Sequence, residues 1–154
     1  MSSLANAAQR LGLIGDEALR IVRTTVDGVA FPPYWMEERN HVFAIHTGLE
    51  ARGWECDEQV SGADLSSEIV FDGVRVPVCI EVFKGHTMQG ATRFGLGLRA
   101  RRHFPIVFAV VLLADTVRSV QKRQTLEGHI NLSLDLEISQ RNRAFYGASM
   151  FVYI

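Results

Sequence analysis

Three carboxylates flank a tight-turn signal in this chain: Asp64 and Glu68 precede Asp72-Gly73, and Glu81 follows it. An Asp-Gly pair between alternating apolar residues is the strongest short signature of a β-hairpin. If Phe71 faces Val74 across the turn, Glu68 faces Pro77, Ser66 faces Cys79 and Asp64 faces Glu81. Side chains alternate along a strand, so Asp64, Glu68 and Glu81 share one face. Directly opposed residues have Cβ atoms about 4.5–5.5 Å apart, and two like charges there repel unless a cation lies between them. Mg²⁺ suits that place, since it takes one or two protein carboxylates and leaves its other positions to water and phosphate oxygens. Such an ion activates a water and offsets charge on a scissile phosphate. The plainer alternative is that the strands fray before Asp64 and the acids point into water.

The elements that must hold these acids are readable around them. Tyr34 to Arg52 has helical spacing, with Val42, Ile45 and Leu49 on one face and Gly53 as a stop. Trp54 to Val60 alternates and predicts a first strand; Asp64 to Phe71 and Val74 to Phe83 form the hairpin. Residues 87–103 predict a helix, and Pro105 to Leu113 is an apolar run suited to a central buried strand. Thr116 to Gly128 predicts a basic helix. Ile130, Leu132, Leu134, Leu136 and Ile138 then alternate with polar residues and predict another strand, with a last strand ending at Tyr153-Ile154. Residues 1–30 predict two short helices, the second capped by Asp16, before Phe31-Pro32-Pro33 breaks the chain. The expectation is an α/β domain around a mixed sheet over 34–154. Residues 1–33 form a helical appendage that covers it or a second copy of it.

The run Trp54-Glu-Cys-Asp, then Asp64-Leu-Ser-Ser-Glu68-Ile-Val-Phe, then Cys79-Ile80-Glu81-Val-Phe-Lys84, resembles the core of PD-(D/E)xK nucleases. That superfamily includes many restriction enzymes and archaeal Holliday junction resolvases. The resemblance covers roughly residues 34 to 114. It implies a restriction-endonuclease-like sheet in the order α-β-β-β-α-β, here with an extra helix and C-terminal strands. It also implies that Glu81 is the third-strand acid and that Asp64 or Glu68 is the second-strand acid, together binding Mg²⁺ or Mn²⁺. Lys84 would assist the water, and Glu38 would complete the site from the inward face of the first helix, with Glu37 a weaker candidate. The sequence departs from the pattern at one point. Phe83 stands two residues after Glu81, and the lysine comes one later. A regular strand turns Lys84 to the face opposite Glu81, and only a β-bulge near Phe83, helped by Gly85, would swing it back. Without the bulge, the resemblance implies an inactive nuclease fold serving as a nucleic-acid-binding or assembly subunit.

Charge is divided along the chain although the net is only -1. Residues 1–83 carry 13 acids against 6 arginines, whereas residues 84–123 carry 8 bases against Asp115 alone. A basic block after an acidic one suggests an anionic partner beside a carboxylate site. Arg93, Arg99, Arg101 and Arg102 are the candidates for holding nucleic-acid phosphates, DNA before RNA, with Thr87 and Gln89 on the same helix. The plainer reading of these arginines is a solvated helix end that favours cations. His41, His46, His86, His103 and His129 include no metal-spaced pair, though His86 lies close to Lys84.

Other classes find less support. No P-loop, GxGxxG or GxSxG signature is present. Cys56 and Cys79 are too few for a disulfide framework and read as reduced packing residues. Phe104 to Ala114 is too short to span a bilayer, and no signal peptide is visible, so the expectation is a cytoplasmic protein away from membranes. A composition of 47% apolar and 21% charged residues excludes disorder and fibrous repeats. A small-molecule sensor has little beyond Trp35, Trp54 and the apolar core to recommend it. By analogy with the nucleases, a chain of this size cuts both strands as a homodimer.

Overall fold

The hairpin is built as the turn chemistry requires. In a computed structural model, which describes residues 3–84, 88–114 and 120–154, strand β2 (Leu65–Phe71) pairs antiparallel with β3 (Val74–Lys84), and Phe71 faces Val74. Asp72 and Gly73 both take positive φ, 49° and 76°, matching the right-handed twist of the flanking strands. Two further strands, β4 (Ile106–Leu113) and β5 (Tyr146–Tyr153), add in parallel beyond β3. A two-residue β1 (Asp57–Glu58) pairs with β2 at the other edge, completing a mixed sheet in the order β1-β2-β3-β4-β5.

Helices cover both faces. α1 (Ser3–Gly28) and α2 (Glu38–Glu50) lie on the side to which Val76, Val78, Ile80 and Val82 of β3 point. α3 (Met88–Ala100) and α4 (Val120–Gln140) cover the side of Cys79 and the odd-numbered residues of β4. Every residue of β4 is buried, which is why its sequence is continuously apolar rather than alternating. The α/β class is therefore as expected.

Three elements differ from expectation. The N-terminal segment is one helix, because Leu11, Ile14, Ala18, Val22 and Val26 keep helical spacing straight through Gly15. Gly15 is where the Tyr146 ring docks: a Cβ there would stand 2.3 Å from the ring. Asp16 caps nothing and instead accepts the Tyr146 hydroxyl at 2.6 Å. Those five buried residues join the core shared with α2 and the sheet, so α1 covers the domain itself.

The strand expected over Trp54–Val60 is cut to two residues, because Gln59 turns left-handed (φ 58°) into a short 3₁₀ turn, Val60–Gly62. The alternating strand expected over Ile130–Ile138 is helical and continuous with the helix before Gly128. Leu126, Ile130, Leu134 and Glu137 are buried at spacings of four, four and three, while Leu132, Leu136 and Ile138 face water. Ile130 and Leu134 satisfy both periodicities, and packing against α3 and β5 selects the helix. One C-terminal strand remains, β5. Among the described residues no helix is long and apolar enough to cross a membrane.

Candidate active site

β2 begins too late to pair with all of β3, leaving residues 81–84 without a partner on it. Its last partner is Leu65 with Ile80, which leaves the next edge amide of β3, that of Val82, without a strand carbonyl. Asp64 fills the gap: its Oδ2 accepts the Val82 N–H at 2.8 Å, and Oδ1 accepts Gln59 Nε2 at 3.4 Å. This bond fixes Asp64 beside Glu81, whose proton affinity the Asp64 charge helps to raise. Both acids line a cleft of about 270 Å³ together with Glu38, Lys84, Arg93 and Arg101.

Glu81 lies on the α3 side of β3, and its side chain is only 13% exposed. Arg101 forms an ion pair with Glu81, Nε lying 2.6 Å from Oε1, while its Nε and Nη2 donate to the Gly62 carbonyl. The Cys79 thiol donates to the same Glu81 oxygen at 3.5 Å. Burial, and then the neighbouring Asp64 charge, push the Glu81 carboxyl up to about 8, with Arg101 only partly opposing them. Glu38, the first residue of α2, is also raised, by desolvation first and the Asp64 charge second, while Lys84 pulls it back. Three acids thus crowd one cleft, and two of them hold their protons more tightly than usual.

The other candidates disperse. Glu68 is exposed, pairs with Arg75 at 3.4 Å and lines a separate cleft. At about 3.3 Å per residue, four strand positions put it some 13 Å from Asp64, so sharing a face does not bring the two together. Glu37 pairs with Arg39 at 2.9 Å on the surface. Lys84 is on the face opposite Glu81. The β3–β4 register runs unbroken through Lys84 and Leu112, so no bulge returns it. Its Nζ donates to the Tyr34 carbonyl at 2.6 Å and to that of Met36. Phe83, where the motif has lysine, stacks on Phe94 of α3 with centroids 5.7 Å apart.

The arginines divide as well. Arg93 and Arg99 are exposed on α3, whereas Arg101 is spent on Glu81 and Arg102 on Glu137. Sequence reasoning cast Arg101 as a phosphate ligand and missed it as the partner of Glu81. No sequence signal distinguished it from its three neighbours. Gly85, His86, Thr87, Asp115 and Arg118, and the side chain of Lys122, lie outside the described residues. Cys56 and Cys79 are buried free thiols, as expected.

Among the described residues no three His, Cys, Asp or Glu side chains stand in ready metal-ligand geometry. Arg101 and the Val82 amide hold the oxygens that such a cluster would use. No protein-family model matches the chain, and no curated protein does either.

Proposed function

We propose that this cleft is a divalent-cation centre for hydrolysing phosphodiester bonds in nucleic acid, DNA before RNA, on a restriction-endonuclease-like version of the α/β fold. The observation that carries the reading is the meeting of Asp64, Glu81 and Glu38 in one cleft, with Glu81 raised to about 8. Perturbed carboxyls cluster at functional sites, and one in a cleft is a candidate for such a site. The donor chemistry fits Mg²⁺ or Mn²⁺, because hard oxygens crowded together are what such ions neutralise. Asp64 and Glu81 would hold the ion, with Glu38 beside them.

When bound, the ion supplies an activated water and offsets charge on the phosphate. Glu81 must give up its proton on loading, and Arg101 keeps its carboxylate aimed at the cleft. Arg93 lines the same cleft and Arg99 lies further along α3, available to backbone phosphates. A homodimer would let one copy act on each strand.

The second reading is a catalytically inactive nuclease-fold subunit that binds nucleic acid or assembles with a partner. The commitment of Lys84 to two backbone carbonyls favours it. The deciding experiment titrates Mg²⁺ and Mn²⁺ into wild type and Glu81→Ala with labelled plasmid, branched and single-stranded DNA. Metal-dependent cutting that falls at least about 100-fold in the variant supports the first reading. Salt-sensitive binding without cutting, indifferent to metal, supports the second. Cutting by the variant at the wild-type rate sinks the assignment of Glu81.

A further inference from the structure

The segment between α1 and α2 is pinned from two sides. His41, fully buried, places Nε2 at 3.2 Å from the Pro32 carbonyl and 3.1 Å from that of Pro33, so Nε2 carries the proton and donates to both. Lys84, from the end of β3, donates to the carbonyls of Tyr34 and Met36 and lies 5.3 Å from the centre of the Tyr34 ring. The Met36 amide closes a turn onto Pro33 at 3.0 Å. Four backbone carbonyls in five residues are therefore held by two side chains reaching out of the core.

The side chain at the tip of this turn is Trp35. It is 79% exposed, the most exposed large apolar side chain among the described residues. A single exposed indole is ordinary in itself; this one stands on a turn whose carbonyls are held from two sides by His41 and Lys84. It lies three positions before Glu38, a span of about 11 Å at most. Lys84, which holds the turn, also lines the carboxylate cleft.

We propose that Trp35 is a stacking platform for an unpaired nucleobase of the substrate, presented at the rim of the carboxylate cleft by His41 and Lys84. This rests on the nucleic-acid reading above. A flat π-face accepts any base, and stacking of this kind is worth about 1–3 kcal/mol per base. Lys84, displaced from the catalytic face, acts as a positioning residue for this turn. The preferred substrate then contains single-stranded or frayed nucleotides near the cut.

The test uses intrinsic fluorescence of the full chain with chelator present, so that binding is read without cleavage. The chain has two tryptophans, and Trp54 is buried, so a change on adding a single-stranded oligothymidylate reports Trp35. Wild type should show quenching, with affinity by anisotropy falling roughly 5- to 100-fold in Trp35→Ala and largely restored in Trp35→Phe. Lys84→Met should weaken binding and shift the Trp35 emission while the fold, read by circular dichroism, persists. Equal affinity of wild type and Trp35→Ala, with binding intact, overturns the platform and leaves the nucleic-acid reading standing. Absence of binding to any oligonucleotide at low salt overturns both. A Trp35 signal that follows protein concentration instead of oligonucleotide marks a self-association surface and also overturns the proposal.

Discussion

Arg101 and Arg102 are neighbours in the chain, yet they serve two shielded glutamates of opposite character. Arg102 joins Arg141 around Glu137, which is 3% exposed and takes three N–H bonds from the two guanidiniums. Arg141 is tied further to the carbonyls of Phe104 and Leu98 and lies over the Phe145 ring. The Arg102 bond first and the Arg141 bond next, against the opposing effect of burial, hold Glu137 below the usual carboxylate range. Glu81 has one arginine, other acids for company and a carboxyl raised to about 8. A satisfied ion cluster stabilises a fold, whereas an under-neutralised one is a place where a cation can be taken up. The same short segment supplies both because successive residues past the end of α3 point in different directions.

Removing each acid should separate the two roles. Glu137→Ala strands Arg141 in the core and should cost about 3–5 kcal/mol in chemical denaturation. Glu81→Ala relieves crowding among acids and should change stability far less, about 1 kcal/mol or under, while abolishing any metal-dependent cutting. Equal losses in the two variants would erase the distinction.

The pH dependence should have opposite signs. Glu81 binds its proton more tightly folded than unfolded, so its contribution is full below the ordinary value of 4.5 and is lost as pH rises towards about 8. Glu81→Gln should therefore gain on wild type between about pH 5 and pH 9. Glu137 is lowered, so its contribution is present above 4.5 and is lost as pH falls. The deficit of Glu137→Gln should shrink in acid. Melting curves across pH check both, and parallel profiles would refute the assignment.

The smallest effects belong to the arginines themselves. Arg102→Ala leaves Arg141 with Glu137 and should lower the melting temperature only slightly. Arg101→Ala should barely move it but should raise the Glu81 proton affinity further, because Arg101 is the charge opposing that shift. A carbonyl-carbon NMR titration of Glu81 reads this directly, and a fall would contradict it.

Much of this was legible in one dimension. Asp72-Gly73 and the alternation around it predict the hairpin and its register as far as Leu65 with Ile80; Asp64 falls just beyond the ladder and comes beside Glu81 through its bond to the Val82 amide instead. Glu38 reaches the cleft from the helix face that Val42, Ile45 and Leu49 predict. The same alternation misleads at Ile130–Ile138, where two periodicities coincide in the buried residues and only the neighbours on α3 and β5 break the tie. Glu68 shows the matching limit for the site: the pattern assigns it a face but not the distance along it.

What the sequence determined by itself is what local chemistry dictates: the turn, the register, the doubly buried β4 and a split of charge between two stretches of chain. Tertiary structure alone decided that one arginine faces Glu81 and the next faces Glu137, that Lys84 pins a turn fifty residues away, and that Trp35 stands outside it. Turn and alternation signals act over a few residues. Long charged side chains settle on whichever partner packing brings within reach, and that partner is distant in sequence.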